Sequence, residues 1–536
     1  MSVTIRRSRD TESAVRRAVP LLVADRVATR LCAQDATLWG AAAEATARIS
    51  LGWTPAVAAA RPLIPEILAL RGELAAAGIS HIVLGGMGGS ALASEMIARN
   101  AGVELTVLDT TDPDRVRAAL HDRLSSTALV ICSKSGETIE TDSHFRAYEK
   151  AFVDAGINPR GRIIVVTDPG TPLEGSARHA GYYVFLTDPR ISGRYSALTA
   201  IGLVPAGLAG ADIQQFLDEA EAITPDLAVD AIENPGFILG AAIAATNPLR
   251  DKLGFVLTGT SAVGFDLWAQ QLITESIGKR AGGLFPFTLA PNAPELDARE
   301  AMHMPDLQIL RLVDDADCYE DSRPGDIIVS GSLGGLVLLW EYATVVAGRI
   351  LGINPFAQPD IDATDMATRA LVRIGSQPVP PALTSERIEV RGSAGIVNDS
   401  HTLKEAVDSL LSYLGDDGYV AVQVYANRLA FPQLEDLRNS LATKARRPVT
   451  LGWGPRFLHS TGLYQEGGSA KGVFLQITTT GSTDLFIPGR PFTFEQLLAA
   501  QAAGDTQDLL DQGLPVITVT LPTPETNLTH LMAALG

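Results

Sequence analysis

The sequence predicts an α/β protein built from doubly wound parallel sheets, with a helical segment before them and a further α/β domain after them. Short β-rich runs alternate with helical stretches along most of the chain, a pattern typical of parallel pairing. Turns rich in glycine and serine follow several of these runs. The length of 536 residues and the apolar content of 46% favour several cores rather than one.

Composition narrows the class of function. The net charge of −18 argues against a nucleic-acid partner, which would need a basic face, and against binding to anionic lipid. The only three cysteines, Cys32, Cys132 and Cys318, make no disulfide framework, and no metal-type spacing of histidine or cysteine occurs. We therefore expect no structural metal.

The expected location is the cytoplasm. Residues 1–17 carry charges of both signs and lack the apolar centre of a signal peptide. No run approaches the roughly 18 uninterrupted apolar residues of a membrane helix. We therefore expect a soluble protein without a membrane partner.

The first 79 residues are predicted to be helical. Apolar positions recur at helical spacing from Val15 to Val23 and again from Val57 to Leu74. Residues 52–55 (GWTP) interrupt the pattern. We expect an N-terminal helical segment, 1–79, that covers part of a larger domain.

Residues 80–230 are predicted to form the first sheet domain. Strands are expected at residues 81–84, 105–108, 127–132 and 162–167, with helices between them. Two polar turns follow the first and third of these strands: residues 85–90 (GGMGGS), here called the glycine loop, and residues 133–138 (SKSGET), here called the serine loop. In doubly wound sheets, ligands bind beyond the carboxyl ends of the strands, where both loops fall.

Two further α/β domains are expected. Residues 231–376 contain predicted strands at 255–258 and 326–330 and a long apolar helix at 333–351. Residues 377–381 (QPVPP) are typical of a linker. Beyond it, the domain 377–536 has predicted strands at 388–391, 419–425, 449–452, 473–478 and 516–521, and helices at 402–414 and 494–502.

The glycine loop is a candidate anion site. Glycine lets the backbone approach a ligand closely, and the helix that follows supplies N–H donors and partial positive charge. Gly88, Gly89 and Ser90 are the candidate contacts. The alternative is a tight turn without a ligand. The spacing matches neither a P-loop nor a dinucleotide fingerprint.

The serine loop brings three hydroxyl groups to the start of a helix. Hydroxyl and N–H donors can hold phosphate oxygens without a large basic patch. The candidate contacts are Ser133, Lys134, Ser135 and Thr138. The alternative is capping of the helix that follows, which needs only one hydroxyl.

Arg194 and Glu275 are the candidate catalytic residues. Arg194 lies between a glycine and an apolar helix, where its fork could stabilise an anionic intermediate. Glu275 lies near the end of a helix before Gly278, and a carboxylate in a cleft is the usual base for moving a proton next to a carbonyl. The alternatives are a solvated surface arginine and an exposed helix carboxylate.

These motifs, in this order, resemble those of glucose-6-phosphate isomerases, with their two sugar-isomerase (SIS) domains. The resemblance extends to residues 194–210 (RYSALTAIGLVPAGLAG), 352–356 (GINPF) and 454–462 (GPRFLHSTG), and so covers nearly the whole chain. It is nearest to the actinobacterial branch, which is related to the isomerase half of transaldolase–isomerase fusions.

The resemblance implies interconversion of glucose 6-phosphate and fructose 6-phosphate through a cis-enediol(ate), a step of glycolysis and gluconeogenesis. It implies that Glu275 moves the proton and that Arg194 stabilises the enediolate. The substrate phosphate would be held by the two loops. It also implies a homodimer that needs neither metal nor redox cofactor.

Two roles of that family do not transfer directly. The ring-opening histidine of the common isomerases has no matching segment here, so His459 is the first replacement and His303 the second; a purely structural histidine is the alternative. Asp365 stands where the family has lysine, and Gln465 and Glu466 stand where basic residues are expected. Two other functions therefore remain open: isomerisation of another anionic hexose, such as mannose 6-phosphate or a sulfonated hexose, and non-catalytic sensing of a sugar phosphate. The pairing of Glu275 with Arg194 disfavours a sensor.

Overall fold

The computed structural model describes residues 3–278, 282–316, 325–357, 380–480 and 483–535. The chain divides into two compact units. The first comprises Met1–Asp109, Leu120–Pro291 and Asp306–Gln358, and the second comprises Thr110–Ala119, Asn292–Pro305 and Pro359–Gly536. Cys318, Lys279, Asp365 and residues 377–379 of the expected linker lie outside the described residues.

The N-terminal segment is mostly helical, as predicted. It contains β1 (Thr4–Arg7), α1 (Arg9–Ala24), α2 (Val27–Cys32), α3 (Ala41–Arg48), α4 (Ala56–Ala60) and α5 (Leu63–Ala76). The expected break coincides with a 3-10 turn, Leu51–Trp53. The strand β1 was not expected.

The first sheet has five parallel strands in the order β3-β2-β4-β5-β6. Its elements are β2 (His81–Gly86), α6 (Gly89–Asn100), β3 (Thr106–Leu108), α7 (Pro113–His121), β4 (Thr127–Cys132), α8 (Ile139–Asp154), β5 (Ile163–Thr167), α9 (Pro172–Ala180), β6 (Tyr183–Leu186), α10 (Ala200–Ala209) and α11 (Ile213–Leu227). All residues of β2, β4 and β5 are buried, as expected for parallel strands covered on both faces.

The second sheet has the order β1-β10-β9-β7-β8, in which only β1 is antiparallel to its neighbour. Its elements are α12 (Pro235–Ala244), β7 (Lys252–Leu257), α13 (Phe265–Ile277), β8 (Phe285–Leu289), α14 (Ala298–Ala301), β9 (Leu307–Leu312), β10 (Ile327–Ser330) and α15 (Leu333–Leu351). By contact, α14 belongs to the second unit and the other elements belong to the first.

Helix α15 is the one described helix that is long and apolar enough to cross a membrane. However, 83% of its most apolar 18-residue stretch is buried inside the protein. It packs against α11, α12 and α13 in the core of the first unit. Its apolar composition therefore fits a helix that is buried in the core of the first unit.

The second unit carries the third sheet, with the order β11-β12-β16-β15-β13-β14. Its elements are β11 (Leu383–Ser385), β12 (Ile388–Gly392), α16 (Ala394–Val397), α17 (Leu403–Leu411), β13 (Tyr419–Tyr425), α18 (Asp436–Ala445), β14 (Val449–Trp453), α19 (Gly462–Gly467), β15 (Gly472–Thr479), α20 (Phe494–Asp511), β16 (Val516–Leu521) and α21 (Pro524–Leu535). The predicted fold class, including a C-terminal α/β domain, is thus confirmed.

Candidate active site

The glycine and serine loops lie side by side at the topological switch point of the first sheet. Strand β2 pairs with β3 on one side and with β4 on the other, so the chain leaves β2 in both directions. The glycine loop begins at the end of β2 and the serine loop directly follows β4. In open α/β sheets this crevice is where ligands bind.

Two positions of the glycine loop, Gly86 and Gly89, have no room for a side chain. A Cβ at Gly86 would lie 2.9 Å from the carbonyl oxygen of Ser90, and a Cβ at Gly89 would collide with the backbone of Gly193. Gly88 has φ +53° and precedes the first residue of α6. The backbone of the loop therefore lies against the turn that carries Arg194, with the N-terminus of α6 facing the crevice.

The serine loop is partly held by its own hydroxyl groups. Ser133 Oγ accepts a hydrogen bond from the N–H of Gly136 at 3.1 Å and lies 3.1 Å from Thr138 Oγ1. The N–H of Glu137 donates to Ser135 Oγ at 3.2 Å. Thr138 precedes α8 but makes no side-chain capping bond. The capping alternative therefore does not describe this loop.

Lys134 extends away from the other donors of the serine loop. Its ammonium donates to Asp168 Oδ1 at 2.5 Å, Thr187 Oγ1 at 3.1 Å and the carbonyl oxygen of Asp188 at 3.1 Å. These three acceptors match the three N–H donors of a lysine. Burial lowers the pKa of Lys134, and Asp168 acts in the opposite direction.

Arg194 is buried, with 1% of its side chain exposed, so it is not a solvated surface residue. It lies in the 3-10 turn Gly193–Tyr195. Its Nη1 donates to Glu275 Oε2 at 3.2 Å, and its Nη2 donates to the carbonyl oxygens of Pro355 at 3.0 Å and Ala357 at 3.2 Å. The guanidinium is thus fixed in one orientation beside Glu275.

Glu275 lies on the last turns of α13, and 15% of its side chain is exposed. Besides Arg194, it has a second partner: Gln271 Nε2 donates to Glu275 Oε1 at 2.6 Å. Each carboxylate oxygen therefore accepts one hydrogen bond. The sequence analysis did not single out Gln271, although its position four residues earlier on one helix face is the spacing at which side chains meet.

Buried aromatic side chains hold the turn that carries Arg194. The Tyr195 hydroxyl lies 3.0 Å from Ser276 Oγ, which joins the Arg194 turn to α13. Tyr195 also stacks on Trp53, with ring centroids 5.3 Å apart. Burial raises the pKa of Tyr195, so its hydroxyl stays protonated and can donate.

The two candidate histidines belong to the second unit. His459 ends the 3-10 turn Arg456–His459, and His303 is exposed two residues after α14. The first unit therefore brings together the glycine loop, the serine loop, Arg194 and Glu275 without either histidine. Gln465 is buried in the second unit, where it accepts a hydrogen bond from Gln423 Nε2 at 2.9 Å. The Glu466 side chain lies outside the described part of the chain.

One group of side chains has the composition of a metal site: His81, Glu104 and Asp122. Both ring nitrogens of His81 already bind the hydroxyl groups of threonines, at 2.9 and 2.8 Å. Both carboxylates bind Arg123. The group lies at the amino end of β2, away from the glycine and serine loops. The threonines and Arg123 account for the positions of these three side chains.

Comparisons with known proteins fit this fold and crevice. No protein-family model matches the sequence. A probable glucose-6-phosphate isomerase of Haloarcula marismortui is 28% identical in an alignment of length 358 that covers 58% of this chain and 82% of that protein. The glucose-6-phosphate isomerase of Cyanothece sp. is 27% identical in an alignment of length 364 that covers 56% of this chain and 69% of that protein.

Solved structures show the same fold. A hypothetical protein of Thermus thermophilus has a TM-score of 0.57 and 22% identity, covering 70% of this chain and all of that one. A glucose-6-phosphate isomerase from Chlamydia trachomatis has a TM-score of 0.53 and 18% identity, covering 70% of this chain and 90% of that one. The named sequence relatives, together with this fold, support a sugar-phosphate isomerase.

Proposed function

We propose that the chain interconverts glucose 6-phosphate and fructose 6-phosphate by moving a proton between C2 and C1 through a cis-enediol(ate). The observation that carries the proposal is the partly buried contact between Arg194 and Glu275, beside the backbone of the glycine loop. The reaction needs a base near a carbon acid and positive charge near the oxygens, and this pair supplies both. The named relatives support the same substrates.

Glu275 is the proposed base. Its carboxylate is held at both oxygens yet remains partly exposed. It can therefore take the proton from C2 of the open-chain sugar and return it to C1. Arg194, fixed by two backbone carbonyls, would hold the enediolate oxygens and so stabilise the charge that develops on them.

The two loops are the proposed phosphate site. Ser90, Ser133, Ser135 and Thr138 would offer hydroxyl groups, and Gly88 and Gly89 would offer a close backbone approach. The start of α6 adds N–H donors and partial positive charge. Binding the non-reacting phosphate here would hold the sugar over Glu275, which converts binding energy into orientation.

Three parts of the proposal rest on the sequence alone. We propose that His459 opens the sugar ring, with His303 as the second candidate. We also propose a homodimer and a cytoplasmic location. The first part is tested by His459→Ala and His303→Ala in a ring-opening assay, and the second by light scattering of the purified protein.

The direct test is turnover of fructose 6-phosphate, followed by NADPH formation with coupled glucose-6-phosphate dehydrogenase, with and without EDTA. We expect activity that EDTA does not remove. Activity on mannose 6-phosphate or a sulfonated hexose alone would keep the chemistry and replace the substrate, as the family lysine replaced by Asp365 suggests. Binding without turnover of any hexose would favour the sensor.

The phosphate site has its own test. Ser133→Ala and Thr138→Ala should mainly raise KM, because the phosphate would be bound before and during the chemical step alike. Ser143→Ala is the matched control, since that hydroxyl donates to the carbonyl oxygen of Ile139 within α8. Unchanged inhibition of the Ser133 and Thr138 variants by a phosphorylated sugar acid would contradict the site.

A further inference from the structure

Lys134 connects three segments that are far apart in the sequence. Its ammonium reaches Asp168, in the turn after β5, and Thr187 and the carbonyl of Asp188, in the segment after β6. Thr187 Oγ1 also donates to Asp168. The backbone reinforces the connection, because the N–H of Asp168 donates to the carbonyl oxygen of Lys134 at 3.2 Å.

The segment that receives this contact leads directly to the catalytic arginine. Arg194 follows Asp188 by only six positions, so the chain between them is short. The segment is anchored again at Arg190, whose carbonyl oxygen accepts a hydrogen bond from the N–H of Gly52 at 3.2 Å. The contacts of Lys134 and of Gly52 therefore hold successive parts of the short stretch that ends at Arg194.

The contact is well shielded from solvent. The side chains of Lys134 and Asp168 are 17% and 19% exposed, unlike the many ion pairs on the surface of this chain. Shielded, hydrogen-bonded ion pairs position groups far better than exposed ones, because neither side chain can exchange its partner for water without a penalty.

We propose that Lys134 and Asp168, with Thr187, form a brace that holds the serine loop and residues 187–194 in fixed positions relative to each other. Lys134 is then a positioning residue rather than a phosphate ligand. The inference rests on the proposed function and deepens it. All three donors of the ammonium are already used. A substrate phosphate would have to displace one of these three acceptors to bind the ammonium of Lys134.

A double-mutant cycle separates the two roles. Lys134→Met and Asp168→Asn should each lower kcat/KM about ten- to a hundredfold, with kcat affected, and the double variant should lose no more than either single one. If Lys134 instead binds phosphate directly, Lys134→Met alone should raise KM, and Asp168→Asn should leave kcat/KM unchanged. That pattern would overturn the brace.

Lys150 and Asp154 provide a matched control. They form an ion pair on the exposed face of α8, where both side chains are 58% exposed. Lys150→Met and Asp154→Asn change the same charges in the same domain. Their kcat/KM should stay at the wild-type value.

Hydrogen–deuterium exchange tests the brace without substrate. In Lys134→Met and in Asp168→Asn, peptides covering residues 133–138 and 187–194 should both exchange faster, and in Lys150→Met neither should. Unchanged exchange in both segments would overturn the brace even if the enzyme is active. Faster exchange in a protein that turns over no hexose would support the brace while rejecting the proposed function, so the two failures are distinguishable.

Discussion

Glu275 and Arg194 form an ion pair in which each charge has more than one partner. A buried charge is costly unless hydrogen bonds replace its lost hydration, and here two carbonyls and one amide supply such bonds. The buried Nε of Arg194 has no hydrogen-bond partner among the described residues. The arrangement keeps the carboxylate oriented while leaving part of it open to a ligand. A general base must be positioned in this way before substrate arrives.

Gln271 is the residue whose removal tests this positioning. Gln271→Leu keeps the volume and removes the donor to Glu275. A hydrogen bond to a charged group is worth about 1.5–3 kcal/mol, so kcat should fall roughly ten- to a hundredfold. The measurement is steady-state turnover of fructose 6-phosphate.

Gln270→Leu is the control for that variant. Gln270 is the adjacent buried residue, and its amide donates to the carbonyl oxygen of Pro286, not to the carboxylate. This variant loses a buried hydrogen bond and some stability, but it should keep its kcat. Equal losses of kcat in both variants would contradict a specific role for Gln271.

The sequence indicated Arg194 and Glu275 as catalytic candidates, and the structure places them in contact, but their other partners were not predicted. Arg194 and Glu275 stand in recognisable segments, on which the resemblance rests. Gln271 carries no such mark, because a glutamine on a helix is usually exposed and its contact depends on the rotamer that packing selects. The partners of Lys134 lie 34 and 53 residues away in sequence, so only the folded sheet brings them together.

At the scale of elements, the glycine loop and the Arg194 turn are in van der Waals contact. Gly89→Ala would push a methyl group into the backbone of Gly193. Overpacking of this kind costs about 1–3 kcal/mol. We expect a lower thermal midpoint and a loss of kcat, because the displaced turn carries the guanidinium.

Gly175→Ala is the matched control for that substitution. Gly175 lies within α9 and has open space where a Cβ would be added. Since alanine is favoured over glycine inside a helix by about 0.5–1 kcal/mol, this variant should be at least as stable as the wild type. A Gly89→Ala variant as stable and active as Gly175→Ala would contradict the contact.

Helix α15 carries an unusual carboxyl group in the core. Glu341 is fully buried, and neither of its oxygens has a hydrogen-bond partner among the described residues. Burial raises its pKa well above the ordinary value of 4.5. The folded chain therefore keeps a proton that the unfolded chain releases, so stability falls as the pH rises above about 4.5.

Glu341→Gln should remove that pH dependence. Well below pH 4.5 the variant and the wild type should have similar stability, because the wild-type side chain is then largely neutral in both states. As the pH rises, the free energy of unfolding of the variant should exceed that of the wild type by a growing amount. The difference should grow by up to about 1.4 kcal/mol per pH unit, measured by denaturant unfolding. A difference that stays constant between acid and neutral pH would contradict a protonated Glu341.

The strands that were not predicted from the sequence share one feature: each contains residues that are unusual in a buried strand. Strand β9 contains Gln308 and Arg311, polar residues that are buried because Gln308 donates to the carbonyl of Ala242 and Arg311 pairs with Asp326. Strand β8 contains Pro286, and β6 has exposed residues at both ends. Their strand state depends on the neighbouring strands, which local patterns do not reveal.

At the scale of the whole molecule, the three sheets repeat one arrangement. In each, the first parallel strand lies between the second and the third, and the fourth lies beyond the third. The two sheets of the first unit therefore share one topology, although no residue-level repeat is visible. Among the described residues, only the first sheet has the two Gly- and Ser-rich loops at its switch point.

The proposed isomerase mechanism depends on Glu275 moving a carbon-bound proton. The most direct test is to incubate the protein with fructose 6-phosphate in D₂O and follow deuterium incorporation into the sugar phosphates by NMR. The wild type should incorporate deuterium at the carbon that exchanges its proton through the enediolate, and Glu275→Gln should lose this activity by roughly a hundred- to ten-thousandfold. Near-wild-type exchange by Glu275→Gln, or turnover without any incorporation, would contradict it.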